Sequence, residues 1–134
     1  MSAPDTEALV ALAREARERA YAPYSVFLVG AALRAGDRVY TGVNIEIASY
    51  PISVCAERNA IAGFVLAGER RIDEVVVVTD AEKPASPCGG CRQALWEFGH
   101  ESDPLVTCVS LRGPRTSARL SQLLPDAFGP RSFR

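Results

Sequence analysis

Four valines in a row, Val75 to Val78, constrain this chain more than any other stretch. β-branched side chains favour extended backbone, and successive residues of a strand point to opposite faces. An unbroken apolar run therefore describes a strand covered on both faces, as in a sheet with helices above and below it. The flanking sequence supplies such helices. Thr6 to Ala20 is rich in Ala, Leu, Arg and Glu, with Leu9, Leu12, Ala13 and Ala16 on one stripe. Cys55 to Leu66 and Cys88 to Phe98 read as two more, stopped near Gly68 and Gly99.

Val26 to Leu33 and Arg38 to Val43 flank the short turn Ala35-Gly36-Asp37 and predict an antiparallel hairpin. Asn44 to Val54 contains Pro51 and reads as a loop, as does Asp80 to Pro87 with its two prolines. Leu105 to Ser110 reads as a strand and Leu120 to Leu124 as a short terminal helix. The order helix, hairpin, helix, strand, helix, strand implies an α/β layered domain with a mixed sheet. At 134 residues, a single domain spanning 1–134 around one core is expected.

Composition excludes several classes of function. Net charge is −1, from fifteen basic and sixteen acidic residues, which gives no electrostatic footprint for a nucleic-acid polymer. Arg14, Arg17 and Arg19 are interleaved with Glu15 and Glu18, the pattern of a solvated helix face. No apolar run approaches the ~20 residues that span a bilayer. The opening Ser2-Ala3-Pro4-Asp5-Thr6-Glu7 lacks the basic and apolar regions of a secretory signal. A cytoplasmic protein without nucleic-acid or membrane partners is expected, and its four cysteines are expected to be reduced.

Three of those cysteines carry the chemistry. Cys88 and Cys91 stand three residues apart at a helix start, where both sulfurs can point the same way. The positive end of a helix favours the thiolate that a metal needs. Cys55 opens another helix and can share the arrangement. A Cys-x-x-Cys pair alone is shared with redox dithiols and zinc knuckles. Three ligands on two helix starts leave one tetrahedral position open, as in catalytic rather than structural zinc. Glu57, two residues past Cys55, can flank such a metal and carry protons between water and substrate. Its other reading is a surface helix glutamate. Arg58 either offsets the surplus thiolate charge or is simply exposed. Cys108 lies at no ligand spacing and reads as a core residue. His100, after Gly99, reads as an exposed loop residue.

Taken together, these residues resemble the small, all-cysteine branch of the cytidine deaminase family. The matching stretches run from Tyr21-Ala22-Pro23-Tyr24-Ser25-Val26-Phe27 through Gly42-Val43-Asn44-Ile45-Glu46 to Cys55-Ala56-Glu57-Arg58. They continue with Pro87-Cys88-Gly89-Gly90-Cys91-Arg92-Gln93 and Leu123-Leu124-Pro125 to Phe128-Gly129. The resemblance implies an α-β-α sandwich with a mixed sheet of about five strands. It implies one Zn2+ per subunit on Cys55, Cys88 and Cys91, with Glu57 as the proton shuttle. Asn44 and Glu46 match ribose ligands, Phe27 the aromatic packed on the pyrimidine, and the Ala56 N–H the donor to the base O2. It further implies a homotetramer whose sites are completed by neighbours, with Phe128 in the segment reaching across and Tyr50 at an interface loop. Two positions depart from the family pattern: Ile47 where Asn is usual, and Gly90 where many members have Ala.

The implied activity is hydrolytic deamination of cytidine and deoxycytidine in pyrimidine salvage. Three rivals are a deaminase of a bulkier cytosine nucleoside such as blasticidin S, a non-catalytic module that uses zinc for stability, and a polynucleotide editor, which the lack of basic or aromatic tracts counts against. A structural site would normally want a fourth protein ligand, and neither Cys108 nor His100 is well placed to supply it.

Overall fold

The computed structural model describes residues 2–133. Its elements run α1 (Thr6–Arg17), β1 (Gly30–Ala35), β2 (Arg38–Val43), α2 (Ala56–Leu66), β3 (Glu74–Thr79), α3 (Gly89–Gly99), β4 (Leu105–Ser110), β5 (Arg115–Arg119) and α4 (Leu120–Leu123). Single 3-10 turns lie at Tyr50–Ile52 and Pro130–Phe133. The strands form one mixed sheet in the order β2-β1-β3-β4-β5. Only β3 and β4 are parallel, and α3 crosses between them. The other three pairs are antiparallel.

The valine run occupies the middle of this sheet, and its side chains divide between the two faces as the pleat requires. Val76 and Val78 pack with Leu9 and Ala13 of α1, and with Ala32. Val75 and Val77 pack with Ala60 and Phe64 of α2, Leu95 of α3, and Leu33. Three layers result: α1, the sheet, then α2 with α3. Burying one such valine or phenylalanine stabilises the fold by roughly 1.5–3 kcal/mol.

Two boundaries and one strand differ most from the sequence reading. The first helix ends at Arg17 rather than Ala20, because Arg19 and Ala20 donate to Ala16 and Arg17, a tighter i to i−3 pattern that closes the ladder. The first strand begins at Gly30 rather than Val26. Val26 is left-handed, with φ of 59°, and the Phe27 carbonyl and Val29 N–H are taken by the Asn44 side chain instead of a neighbouring strand. The edge strand β5 was not predicted. Its sequence, Arg-Thr-Ser-Ala-Arg, carries almost no apolar signal because most of it faces water.

Two glycines let the layers close. A Cβ on Gly30 would stand 2.0 Å from the Ala13 carbonyl oxygen of α1. A Cβ on Gly42 would stand 2.4 Å from the Ala56 carbonyl oxygen of α2. The second contact seats the helix that carries Glu57 directly on strand β2.

Candidate active site

The parallel pair places the start of α3 beyond the carboxyl end of β3, where α/β sheets form their ligand crevices. The start of α2 reaches the same place. Cys55 is the N-cap of α2 and Cys88 the N-cap of α3, both with extended backbone, while Cys91 sits buried in the first turn of α3. Their three Sγ atoms lie within 4.8 Å of one another. Two Zn–S bonds of about 2.3 Å at a tetrahedral angle span about 3.8 Å, so a small contraction would seat one ion. Among the described residues the cluster holds these three ligands and no fourth. The donor set fits zinc with one open position.

The sulfurs are electrostatically distinct. The backbone N–H of Cys91 draws the Cys88 thiol below its ordinary pKa. Burial pushes the Cys91 thiol up, with the Glu57 charge adding to it. Arg58 is exposed, and its Nη2 donates to Cys55 Sγ at 3.7 Å.

Glu57 is not a surface glutamate. Only 4% of it is exposed, at the first turn of α2. Burial raises its carboxyl above the ordinary range, against the pull of its own backbone N–H and Arg58. Burial that disfavours the charged form suits a group that must hold a proton and pass it on.

Phe27, Asn44, Glu46, Cys55, Glu57 and Cys88 line one cleft of about 290 Å³. Ala56 lines it too, and as the first residue of α2 it has an N–H without an intrahelical acceptor. Tyr50 lines it as well. Asn44 and Glu46 are tied to the chain itself. Asn44 accepts from the Val29 N–H and donates to the Phe27 carbonyl, each at 2.8 Å. Glu46 accepts from the N–H groups of Tyr24 and Ser25 at 3.0 and 3.1 Å, and from the Ser25 hydroxyl. The Ser25 hydroxyl leads the contacts that hold the Glu46 carboxyl below its usual range. These two side chains thereby fix the strained turn that presents Phe27, which is 40% exposed and lies ahead of β1 rather than in a hairpin strand.

Other assignments fall elsewhere. Phe128 is 62% exposed and does not line the cleft of its own chain; its ring meets Phe133 edge-on at 5.4 Å. Cys108 is buried in the core, and burial pushes its thiol up to about 11. His100 is not an exposed loop residue. Helix α3 runs far enough that His100 caps it, donating its N–H to the Trp96 carbonyl, and its side chain is only 12% exposed beside the Trp96 ring. Sequence reasoning missed Ser25, Thr79 and Ser86 as cleft residues. Of these, only Ser25 had a local signal, its place in a Pro-Tyr-Ser turn.

Neither family departure disturbs the ligands. Ile47 donates its N–H to the Ser53 hydroxyl. A Cβ on Gly90 would meet nothing within 4 Å, and its φ is not positive. Gly90→Ala is therefore expected to stabilise the protein by about 0.5–1 kcal/mol, through the entropy of the unfolded chain, with zinc content unchanged. Calorimetry and a metal assay on the purified variant check both.

The family model for the cytidine and deoxycytidylate deaminase zinc-binding region matches residues 4–107. A cytidine deaminase of Sporosarcina psychrophila is 46% identical over 125 residues, covering 92% of this chain and 91% of that protein. One from Mycobacterium tuberculosis is 39% identical over 118 residues, covering 87% and 84%. The crystal structure of a cytidine deaminase from Burkholderia pseudomallei superposes with a TM-score of 0.87 at 41% identity, over 93% of this chain and all of that one. That from M. tuberculosis gives 0.80 at 38% identity, over 94% and 98%. With cysteines, buried glutamate and sheet order all in place, this chain belongs to the cytidine and deoxycytidylate deaminase zinc-binding family.

Proposed function

We propose that the protein is a zinc-dependent cytidine deaminase, a hydrolase that converts cytidine and deoxycytidine to uridine and deoxyuridine with release of ammonia. The observation that carries this reading is the buried Glu57 beside three clustered thiols on one nucleoside-sized cleft. Cys55, Cys88 and Cys91 would hold one zinc ion per subunit. Zinc there supplies a Lewis acid that lowers the pKa of water toward neutrality.

The chain's own residues do the rest. Glu57 takes a proton from the attacking water and places it on N3 of the cytosine. Water adds at C4, the bond from C4 to the exocyclic amine breaks, and Glu57 passes the second proton to the departing ammonia. Phe27 packs on the pyrimidine face, and the Ala56 N–H donates to the base O2. Asn44 and Glu46 meet the ribose hydroxyls from the rim while holding the Phe27 turn. Arg58 offsets thiolate charge.

We further read the enzyme as a cytoplasmic homotetramer of single-domain subunits working in pyrimidine salvage, with Phe128 reaching toward a neighbour's cleft. Support comes from the open cleft and from exposed aromatic side chains, Phe27 and Tyr50 in the cleft and Tyr24 and Phe128 outside it. Among the described residues no helix is long and apolar enough to cross a membrane. Light scattering at micromolar concentration is expected to give a tetramer, and a monomeric mass would overturn the shared-site reading.

The activity is tested by following the loss of cytosine absorbance with cytidine and deoxycytidine on protein of known zinc content. Zinc-loaded protein that leaves both untouched would overturn the assignment. Asn44→Asp refines the test. It keeps the acceptor for Val29 but sets a second acceptor against the Phe27 carbonyl. KM for cytidine is expected to rise about tenfold, equivalent to ~1.4 kcal/mol of lost binding, with a smaller change in kcat.

A further inference from the structure

The segment that leads into Cys88 has little of its own to hold it. Residues 80–87 form no helix or strand, and Pro84 and Pro87 have no N–H to donate. Among the described residues, the only hydrogen bonds that reach 82–87 come from one side chain. Arg92 Nε donates to the Pro87 carbonyl at 2.7 Å, and Nη2 donates to the Ser86 hydroxyl at 2.8 Å. That carbonyl belongs to the peptide bond whose nitrogen is Cys88's own. The remaining arm, Nη1, donates to the Leu123 carbonyl at 2.7 Å, thirty-one residues away at the end of α4.

The C-terminal segment beyond Leu123 rests on the same face of α3. Gln93 Nε2 donates to the Phe128 carbonyl at 2.7 Å. Gly129 lies so close to Trp96 that a Cβ would stand 2.8 Å from the indole ring. Trp96 lies one turn from both, four residues past Arg92 and three past Gln93. No carboxylate lies within salt-bridge distance of Arg92 among the described residues, so its polar partners are a hydroxyl and two carbonyls from two different segments. A rigid planar fork can bridge acceptors in this way, whereas a lysine ammonium can hold only a point among them.

We propose that Arg92 is a positioning residue that fixes Cys88 to the C-terminal segment, so that metal retention and the docking of residues 123–129 are one linked event. The proposal rests on Cys55, Cys88 and Cys91 being the zinc ligands. Linkage is reciprocal: anything that orders the C-terminal segment, including contact at Phe128, also tightens the metal site.

Zinc-loaded wild type, Arg92→Gln, Arg92→Lys and Val76→Ala are compared by the rate at which each gives up zinc to a colorimetric chelator, well below the unfolding temperature. Val76→Ala is the control for general destabilisation, since it thins the core on the α1 face. Arg92→Gln is expected to release zinc about 10- to 100-fold faster, the usual effect of removing a group that orients a ligand. Arg92→Lys is expected to restore less than half of that loss on a logarithmic scale. Hydrogen exchange over 123–129 is expected to quicken in both while α1 stays protected. If Arg92→Gln does not fold, Ser86→Ala removes one acceptor alone, with an expected effect of about fivefold. Zinc release from the folded variants no faster than from Val76→Ala at matched Tm would overturn the proposal. Wild type unable to take up zinc would overturn the ligand reading, and the proposal with it.

Discussion

Glu57→Gln is expected to abolish deamination while leaving zinc bound and the fold no less stable. The amide has the shape of the carboxyl and can still accept a hydrogen bond, but it cannot carry a proton at neutral pH. General acid–base catalysis contributes about 10²–10⁴ in rate, and this one group would serve both the addition of water and the departure of ammonia. The expected loss in kcat is therefore at the upper end, about 10⁴. Stability should move the other way, if at all. Glu57 is 4% exposed, and burial works against its charged form. A neutral amide removes that cost, so Tm is expected to equal or exceed that of wild type. Uridine formation, zinc content and calorimetry on one preparation separate these outcomes. A zinc-loaded variant retaining more than a tenth of wild-type turnover would remove Glu57 from the chemistry. Equal zinc content with lost activity also distinguishes an enzyme from a module that uses zinc for stability alone, because the latter has no use for the proton.

Much of this site could be read from the chain because its parts are local. Cys88 and Cys91 share one turn, and Cys55 and Glu57 share another, so spacing alone brings each pair to a helix start. The valine run likewise carried its own evidence for a strand covered on both faces. What the sequence hid depends on partners far along the chain. Nothing near Asn44 tells that its side chain holds Phe27 and Val29, fifteen or more residues earlier. Glu46 holds Tyr24 and Ser25 across a similar gap. Those same bonds explain the misplaced start of β1, since a backbone satisfied by side chains has no ladder to join. Strand β5 was invisible for a different reason. An edge strand facing water has no hydrophobic period to detect, and pairing with β4 alone defines it. His100 was misread because a cap residue's burial depends on which way the chain leaves the helix, and here the ring turns back beside Trp96.

Gly42→Ala is expected to damage zinc retention, activity and stability together, the opposite pattern to Glu57→Gln. Gly42 lies in β2 opposite Ala31 of β1, with α2 crossing directly above it. A methyl group there would stand 2.3 Å from the Ala60 nitrogen, 2.4 Å from the Ala56 carbonyl oxygen and 2.8 Å from the Ala60 Cα. All three are backbone atoms, so no side-chain rotation relieves the overlap. Either β2 must leave the sheet or α2 must shift by on the order of 1 Å to reach ordinary contact distance. Overpacking of this kind costs about 1–3 kcal/mol, and rigid neighbours put it near the top of that range. For a chain of this length the expected fall in Tm is on the order of 10 °C. The shift carries Cys55, Ala56 and Glu57 with it, because they form the start of that helix. A displacement of about 1 Å at reacting groups costs roughly 10²-fold in rate. Zinc should also be held less tightly, since Cys55 moves while Cys88 and Cys91, on α3, stay behind. Loss of Tm with intact zinc and full turnover would show that the sheet yields rather than the helix. Seating α2 on a bare glycine backbone is thus what lets a β2 position govern a proton carrier one layer away.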